Sequence, residues 1–512
     1  ARLSALGAKE LLPTGLGDDQ SRTGYEGALD PWKKLLWQRL RELYPLPPGV
    51  QEPPAGDDMV PDLGTPKFQV TWLESTSTHP PPQPPSTAAV HAAVVLDQVA
   101  GSGATLKGSS ADNTFSAGRP LLARIVRNSR ITNPQHSQDV RHIEVDLGDS
   151  GLKYVPGDSL GVWPETPATA VDEFLQLCGL EGSAYVVVNG SSGTPVQVRA
   201  LVAGALDICS APPRRYFFEV MSHFATAEHE KERLQYFASV EGRDDVYRYC
   251  NKERRSVLEV LRDFPSARPP LQWLLTIVPR LQPRYFSISS SLAAHPNTAH
   301  LTVAVVAWET PYKRPRVGLC SSWLAGLDPS VSENPLLIPV WVEPGSLRMP
   351  ADASTPLVCV GPGTGVAPMR SFLQQRDAQL QMSNGAAACL FFGCRKQSMD
   401  YLYADEWDRF RADGRVLSSQ NDEGGLFVAF SQDQASKVYV TNRIREQGAL
   451  VWKLLSSGAY VYVSGASGKM PTDVSSAFEE VLTTHGGMDT SLAKQWLRKA
   501  ETTGRYQVET WS

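Results

Sequence analysis

Unbroken apolar runs near the end of the chain constrain its fold more than any other feature. They are Pro356-Leu357-Val358-Cys359-Val360, residues 388–392 and residues 459–463. Each is followed by glycine and then by a helical pattern. A strand with one wet face alternates apolar and polar residues, so a run without alternation is buried on both faces. Such strands, with helices between them, predict a parallel α/β sheet over residues 349–512.

Upstream the pattern changes. Short β-type runs occupy 121–126, 140–147 and 159–163, with Gly157-Asp158 as the turn before the third, and they resume at 285–289, 301–307 and 337–342. Between them, from about 168 to 263, spacing is mostly helical, as in Arg254-Arg255-Ser256-Val257-Leu258-Glu259-Val260-Leu261. This order predicts an antiparallel β domain over 119–348, interrupted by a helical insert at about 168–270. Residues 80–85 are almost all proline and a Ser/Gly/Ala-rich run follows, so 46–118 are expected to be mainly flexible linker. Residues 1–45 hold a strand-like stretch, Leu11-Leu12-Pro13-Thr14-Gly15-Leu16-Gly17-Asp18-Asp19, then helical spacing over 32–40. One strand and one helix are too little to fold alone.

Composition excludes several classes. The 512 residues carry a net charge of −5 with no basic run, which argues against nucleic acid as partner. The seven cysteines are scattered without a CxxC pair, so no zinc or disulfide framework and no metal site is expected. Scattered thiols fit a reducing compartment. No apolar stretch approaches the roughly 20 residues that span a bilayer, and no signal-peptide pattern is seen. A cytoplasmic location is the expectation. The chain begins with Ala and runs at once into helix-like sequence, as if inside a domain.

Four motifs carry chemistry. Gly361-Pro362-Gly363-Thr364-Gly365-Val366-Ala367-Pro368 lies between an apolar strand and a helix. Glycines there let the backbone approach a pyrophosphate, and the helix N-terminus offers free N–H groups. The spacing is not GxGxxG, and a plain Gly/Pro turn explains it about as well. Arg284-Tyr285-Phe286-Ser287-Ile288-Ser289-Ser290 combines a guanidinium for phosphate, aromatic faces for a flat ring and a hydroxyl for its reactive edge. An ordinary core strand explains those residues at least as well. Gly318-Leu319-Cys320-Ser321-Ser322-Trp323-Leu324 opens a helix with small residues, as an anion site or a simple cap does. The C-terminal Tyr506-Gln507-Val508-Glu509-Thr510-Trp511-Ser512 puts an acid and an aromatic where a frayed tail is the ordinary outcome.

In this order, the four together resemble the diflavin reductase family, which includes cytochrome P450 reductase, the reductase parts of nitric oxide synthase and sulfite reductase flavoprotein. The resemblance runs from about Arg119 to Ser512. Within the family it is strongest to the NADPH-dependent diflavin oxidoreductases of cytosolic iron–sulfur protein assembly, on Gln138-Asp139-Val140-Arg141-His142-Ile143-Glu144, Pro283-Arg284-Tyr285-Phe286-Ser287, Gly318-Leu319-Cys320-Ser321-Ser322-Trp323-Leu324 and Glu509-Thr510-Trp511. It implies a mixed α+β and α/β multidomain chain: a ferredoxin-reductase-like antiparallel FAD β-barrel with a helical connecting insert, then a parallel α/β NADPH-binding domain. Residues 1–45 would be the end of a flavodoxin-like FMN domain, so FMN would belong to the full-length parent only. Hydride would pass from NADPH to FAD, and electrons through FMN to an iron–sulfur assembly scaffold of anamorsin type.

The same resemblance assigns roles. Arg284, Arg254 and the turn Gly318, Leu319, Cys320 and Ser321 would hold FAD. Tyr285 belongs to the same strand motif. Phe286 would stack on one flavin face and Trp511 on the other, moving aside for nicotinamide. Ser287 would sit near flavin N5, with Glu509 beside it, and these two with Trp511 form the expected catalytic group. Thr364, Arg395 and Asp473 would contact the nicotinamide cofactor. Ser431 and Lys437 would read its 2′-phosphate, in a stretch with Gln432, Val438, Val440 and Thr441, and Tyr439 would pack on adenine. In three places the chain departs from the family pattern. Gln432 stands where Arg is usual. A charged hydrogen bond is worth about 1.5–3 kcal/mol, so preference for NADPH over NADH falls by roughly ten- to a hundredfold. Ser464 replaces a cysteine many members carry, and Glu509 replaces the Asp of P450 reductases. Two alternatives stand beside this reading: a P450-type haemoprotein reductase, and a non-catalytic binding paralogue.

Overall fold

The computed structural model describes residues 7–18, 25–45, 63–73, 85–100, 115–188, 194–382, 386, 388–412, 415–418 and 424–511. The N-terminal part gives helix α1 (Glu26–Leu43). Residues 11–18, expected to be a strand, are irregular, because no described strand lies beside them to pair their N–H and C=O groups; Asp19 lies outside the described residues. The stretch is tied to α1 by Trp32 Nε1–H, which donates to Pro13 O at 2.9 Å.

The expected linker is partly ordered. It contributes strand β1 (Val70–Trp72) and helix α2 (Pro85–Ala100), while 46–62, 74–84 and 101–114 lie outside the described residues. Ala92 and Leu96 of α2 are wholly buried, and Phe68 beside β1 is 3% exposed. A helix apolar on most of its circumference is a buried helix, and its small residues let neighbours approach closely.

The barrel strands follow: β2 (Leu121–Arg130), β3 (Val140–Asp146) and β4 (Ser159–Val162). The insert then contributes α3 (Ala168–Cys178), β5 (Tyr185–Val188), β6 (Val196–Gln197), α4 (Val198–Ala205), α5 (Arg215–Phe224), α6 (Glu228–Ala238), α7 (Val257–Asp263) and α8 (Leu271–Ile277). β1 pairs antiparallel with β5, so the supposed linker joins the insert's own sheet. Gly204 of α4 lies so close to α2 that a Cβ there would be 2.1 Å from Ala89 O. The chain returns to the barrel with β7 (Arg284–Ser287), β8 (Thr298–Ala304), the hairpin β9 (Ala307–Glu309) and β10 (Pro315–Val317), helix α9 (Leu319–Gly326) and β11 (Leu337–Glu343). The six-stranded antiparallel sheet runs β7-β4-β11-β2-β3-β8.

The last unit alternates strand and helix: β12 (Leu357–Val360), α10 (Val366–Gln381), β13 (Ala388–Cys394), α11 (Ala404–Phe410), β14 (Gly425–Phe430), α12 (Val440–Glu446), α13 (Gly448–Ser456), β15 (Tyr460–Ala466), α14 (Met470–Thr484), α15 (Thr490–Thr502) and β16 (Tyr506–Trp511). The sheet is parallel throughout, in the order β14-β13-β12-β15-β16. Every residue of β12 and β13 is buried, as the unbroken apolar runs require. Strand order reverses at β12, and ligands of such sheets sit beyond the strand C-termini at that switch point.

Candidate cofactor sites

A cleft of about 420 Å³ opens at the switch point. Its lining comes mainly from the C-terminal ends of β13, β14 and β15 and the segments that follow these strands and β12, and includes Gly363, Arg395, Ser431 and Ala466. Of the residues expected to hold nicotinamide cofactor, it also contains Val438, Tyr439, Val440, Thr441 and Asp473. Gly363 has φ +57°, a conformation that favours glycine. Ser431 Oγ–H donates to Cys394 O at 3.2 Å, and Gln432 N–H to Arg395 O at 2.8 Å, so the post-β14 loop continues the pairing with β13. Burial drives the Cys394 thiol well above its usual range, so it stays neutral.

Not every expected residue enters this cleft. Gln432 and Lys437 are exposed and outside its lining, and Thr364 is half-buried in the turn beside it. Several lining residues had no assigned role in the sequence reading, among them Asp400, Ala429, Met470 and Val474. Asp400 organises the loop after β13, accepting from Arg395 N–H at 2.9 Å and Lys396 N–H at 2.7 Å. An Asp a few residues past the end of a buried apolar strand was the available signal.

The second site is built around β7. Glu509 accepts from Ser287 Oγ–H at 3.0 Å through one carboxylate oxygen and from Ser346 Oγ–H at 2.9 Å through the other. β16 thus joins β7 across 222 residues, and Trp511, 39% exposed, follows two residues later. Parallel pairing puts Glu509 opposite Ser464, which is wholly buried and whose Oγ has no partner. Tyr285 is 50% exposed, with its ring edge-on to Trp341 at 5.9 Å. Phe286 is half-buried and packs on the barrel core.

Gly318 is the N-cap of α9, and a Cβ there would lie 2.8 Å from Ser321 Oγ. Ser321 Oγ accepts from Val306 N–H at 3.1 Å, which fixes the turn against the start of the hairpin. Leu319 and Cys320 are buried, and burial pushes the Cys320 thiol up to about 12, partly countered by the Arg284 guanidinium. Trp308, 44% exposed on β9, is a further aromatic surface missed in the sequence because it lies outside the quoted motifs. Arg254 is exposed and sits before α7 in a left-handed turn, φ +46°, ahead of the Ser256–Glu259 capping box. It does not lead the helix.

This donor set fits two dinucleotides. A guanidinium and a helix N-terminus with no side-chain cap suit one phosphate pair, and the cradle of Gly363, Gly393 and Arg395 suits another. Exposed aromatics suit flat rings, and the orphaned Ser464 hydroxyl lies beside the Glu509 strand.

A family model described as "FAD binding domain" matches residues 113–323, and one described as "Oxidoreductase NAD-binding domain" matches 359–476. The chain is 44% identical to NADPH-dependent diflavin oxidoreductase 1 of Arabidopsis thaliana, over 100% of this chain and 81% of that protein. It is 40% identical to the protein of the same name from Danio rerio, with the same coverage. It is 30% identical to human NADPH–cytochrome P450 reductase, over 100% of this chain and 72% of that protein.

Proposed function

The chain belongs to the family of NADPH-dependent diflavin oxidoreductases, and on that premise we propose that it takes hydride from NADPH onto FAD and supplies electrons, by way of FMN in the full-length parent, to an iron–sulfur assembly scaffold of anamorsin type. FAD, when bound, accepts a hydride and gives up its electrons singly. Arg284, Arg254 and the N-terminus of α9 neutralise its phosphates. Tyr285, Phe286, Trp308 and Trp511 offer aromatic surface to its rings. The Ser287 hydroxyl is held in one orientation by Glu509 and serves the reactive edge. Trp511 covers the flavin face opposite Phe286 and moves aside for nicotinamide.

At the other site, Thr364 and Arg395 with the Gly361–Pro368 loop hold the pyrophosphate, and Asp473 adds a polar contact. Ser431 and Lys437 read the 2′-phosphate, and Tyr439 lies against adenine. Gln432 supplies no cation there. Residues 1–45 are the last part of the FMN domain in this reading, which makes α1 the join between the electron-input and electron-output parts.

The observation that carries the proposal is the Ser287–Glu509 hydrogen bond, which brings the flavin strand and the aromatic-bearing end strand together. Purified protein is expected to be yellow, with near-stoichiometric FAD, and to bleach on anaerobic addition of NADPH. Folded but colourless protein would end the enzyme reading. For the acceptor, the reduced full-length enzyme is mixed with a [2Fe–2S] scaffold and, separately, a P450-type haemoprotein. Faster reduction of the haemoprotein favours the second reading, which the likeness to P450 reductase supports.

A further inference from the structure

Helix α10 begins directly after the Gly361–Gly365 turn that cradles the nicotinamide cofactor. One turn into it, Arg370 is 6% exposed and reaches out of its own unit. Its Nη1–H donates to Ser289 O at 2.7 Å. The next residue, Ser371, donates Oγ–H to Ser290 O at 2.7 Å. Gln374, one turn further on the same face, accepts from Ser291 N–H at 2.9 Å through Oε1. Three consecutive residues, 289–291, are therefore held by one stripe of α10, and all three are wholly buried. They follow β7, whose last residue is Ser287, after the single residue Ile288.

The stripe is itself locked. Glu406 of α11 accepts from Arg370 Nε–H at 2.6 Å and from Gln374 Nε2–H at 2.7 Å. The guanidinium also stacks over Tyr403 at 4.6 Å. On the far side, Ser290 Oγ bonds with Tyr154 OH at 2.7 Å and accepts from His300 N–H at 2.9 Å. A buried, doubly satisfied charged group holds its geometry because every displacement leaves a charge or carbonyl unpaired. The bond through Glu509, by contrast, belongs to an edge strand with exposed residues, while Tyr403 OH adds bonds across the seam to His142 Nδ1 at 3.1 Å and Thr302 Oγ1 at 2.6 Å.

We infer that Arg370, Ser371 and Gln374 are positioning residues for hydride transfer: they clamp the helix that carries the nicotinamide-cofactor turn onto the segment leaving the flavin strand, and so set the spacing of the two rings. The inference rests on the family reading of two cofactor sites. Transfer requires reacting atoms about 3–3.5 Å apart, and a misplacement of about 1 Å costs roughly a hundredfold in rate. The clamp acts through main-chain groups and lies outside the lining of the switch-point cleft, so it alters alignment and leaves nicotinamide-cofactor affinity alone.

The test uses FAD-loaded protein carrying Arg370→Met, Arg370→Lys or Ser371→Ala. Hydrogen exchange over 286–295, FAD content, 2′,5′-ADP binding and stopped-flow flavin reduction with NADPH and 4-deuterated NADPH are measured. Arg370→Met is expected to keep FAD and the 2′,5′-ADP dissociation constant, to exchange faster at 289–291, and to reduce flavin roughly ten- to a hundredfold more slowly. The KM is expected to hold and the isotope effect to rise, with partial rescue in Arg370→Lys. Faster exchange with an unchanged reduction rate would overturn the inference, since the contacts would then be structural only. If Arg370→Met fails to fold, Ser371→Ala decides alone: a reduction rate lowered about threefold or more supports positioning, and a wild-type rate overturns it. Wild-type protein without FAD, or blind to 2′,5′-ADP, would bring down the family reading and this inference with it.

Discussion

Asp30 and Arg215 face each other through two hydrogen bonds, Nη1–H to Oδ2 at 2.9 Å and Nη2–H to Oδ1 at 3.0 Å. They join α1 to α5 of the insert, and Arg243 adds a second cation 3.9 Å from the same carboxylate. The side chains are 14% and 19% exposed, so solvent screens the pair little. The Arg215 hydrogen bond holds the Asp30 carboxyl below its usual range, so the link is intact above the ordinary carboxylate pKa and is lost as pH falls through the lowered value. Asp30→Asn is expected to release α1, weakening its docking by about 1.5–3 kcal/mol. Hydrogen exchange over 26–43 reads this directly; protection equal to wild type would show that the pair does not hold the helix.

Glu509 serves two serines at once, and its variants separate charge from geometry. Glu509→Gln retains an acceptor and is expected to keep most activity. Glu509→Ala frees Ser287 and Ser346 together and is expected to slow anaerobic flavin reduction about tenfold or more, since an unoriented hydroxyl loses its placement. Stopped-flow bleaching of the flavin band checks the order, wild type above Gln above Ala.

Cofactor choice is expected to respond to one exposed position. Gln432→Arg restores a cation beside Ser431, and the ratio of kcat/KM for NADPH over NADH is expected to rise roughly tenfold or more. Lys437→Ala is expected to lower the ratio. Equal ratios in all three proteins would remove these residues from 2′-phosphate recognition.

The seam between the units contains imidazoles that stay neutral. Burial, with Arg370, Arg127 and His295 nearby, drives His142 down to about 3. His300 is lowered by burial, by His295 and by Arg370, against the pull of Glu144. The unfolded chain protonates both near the ordinary histidine value, about 6.5, while the folded chain does not. Stability is therefore fully present above pH ~6.5 and declines below it, by about 1.4 kcal/mol per pH unit for each imidazole. Thermal melts from pH 8 to pH 4 are expected to show this slope, and His142→Gln to flatten it.

Helix α2 is expected to be a structural member. Leu96 is wholly buried, and Leu96→Ala is expected to cost about 2–5 kcal/mol. A denaturant midpoint unchanged from wild type would return 85–100 to the status of a tether.

Legibility followed burial. The runs at 356–360 and 388–392 announced a covered parallel sheet because the strands they form, 357–360 and 388–394, lie wholly inside. The segment 85–100 misled because alanine and valine give it low complexity, although those same small residues let α2 rest on Gly204. Ser287 and Glu509 were both named from motifs, yet no local pattern foretold their bond, because parallel pairing of β16 with β15 creates it. Arg370 carried no signal at all: inside a helix it looks like a surface charge, and only tertiary packing reveals the carbonyl it serves.

The Ser287–Glu509 bond also bears on synthesis. Its partners are 222 residues apart, and translation adds roughly 5–20 residues per second. β7 therefore leaves the ribosome some ten seconds or more before the strand that completes its surroundings. A nascent chain paused anywhere in that interval carries Ser287 without its acceptor. On the proposed reading of β7, flavin capture is then a late event, and a shortage of the vitamin precursor is felt by finished chains awaiting their cofactor.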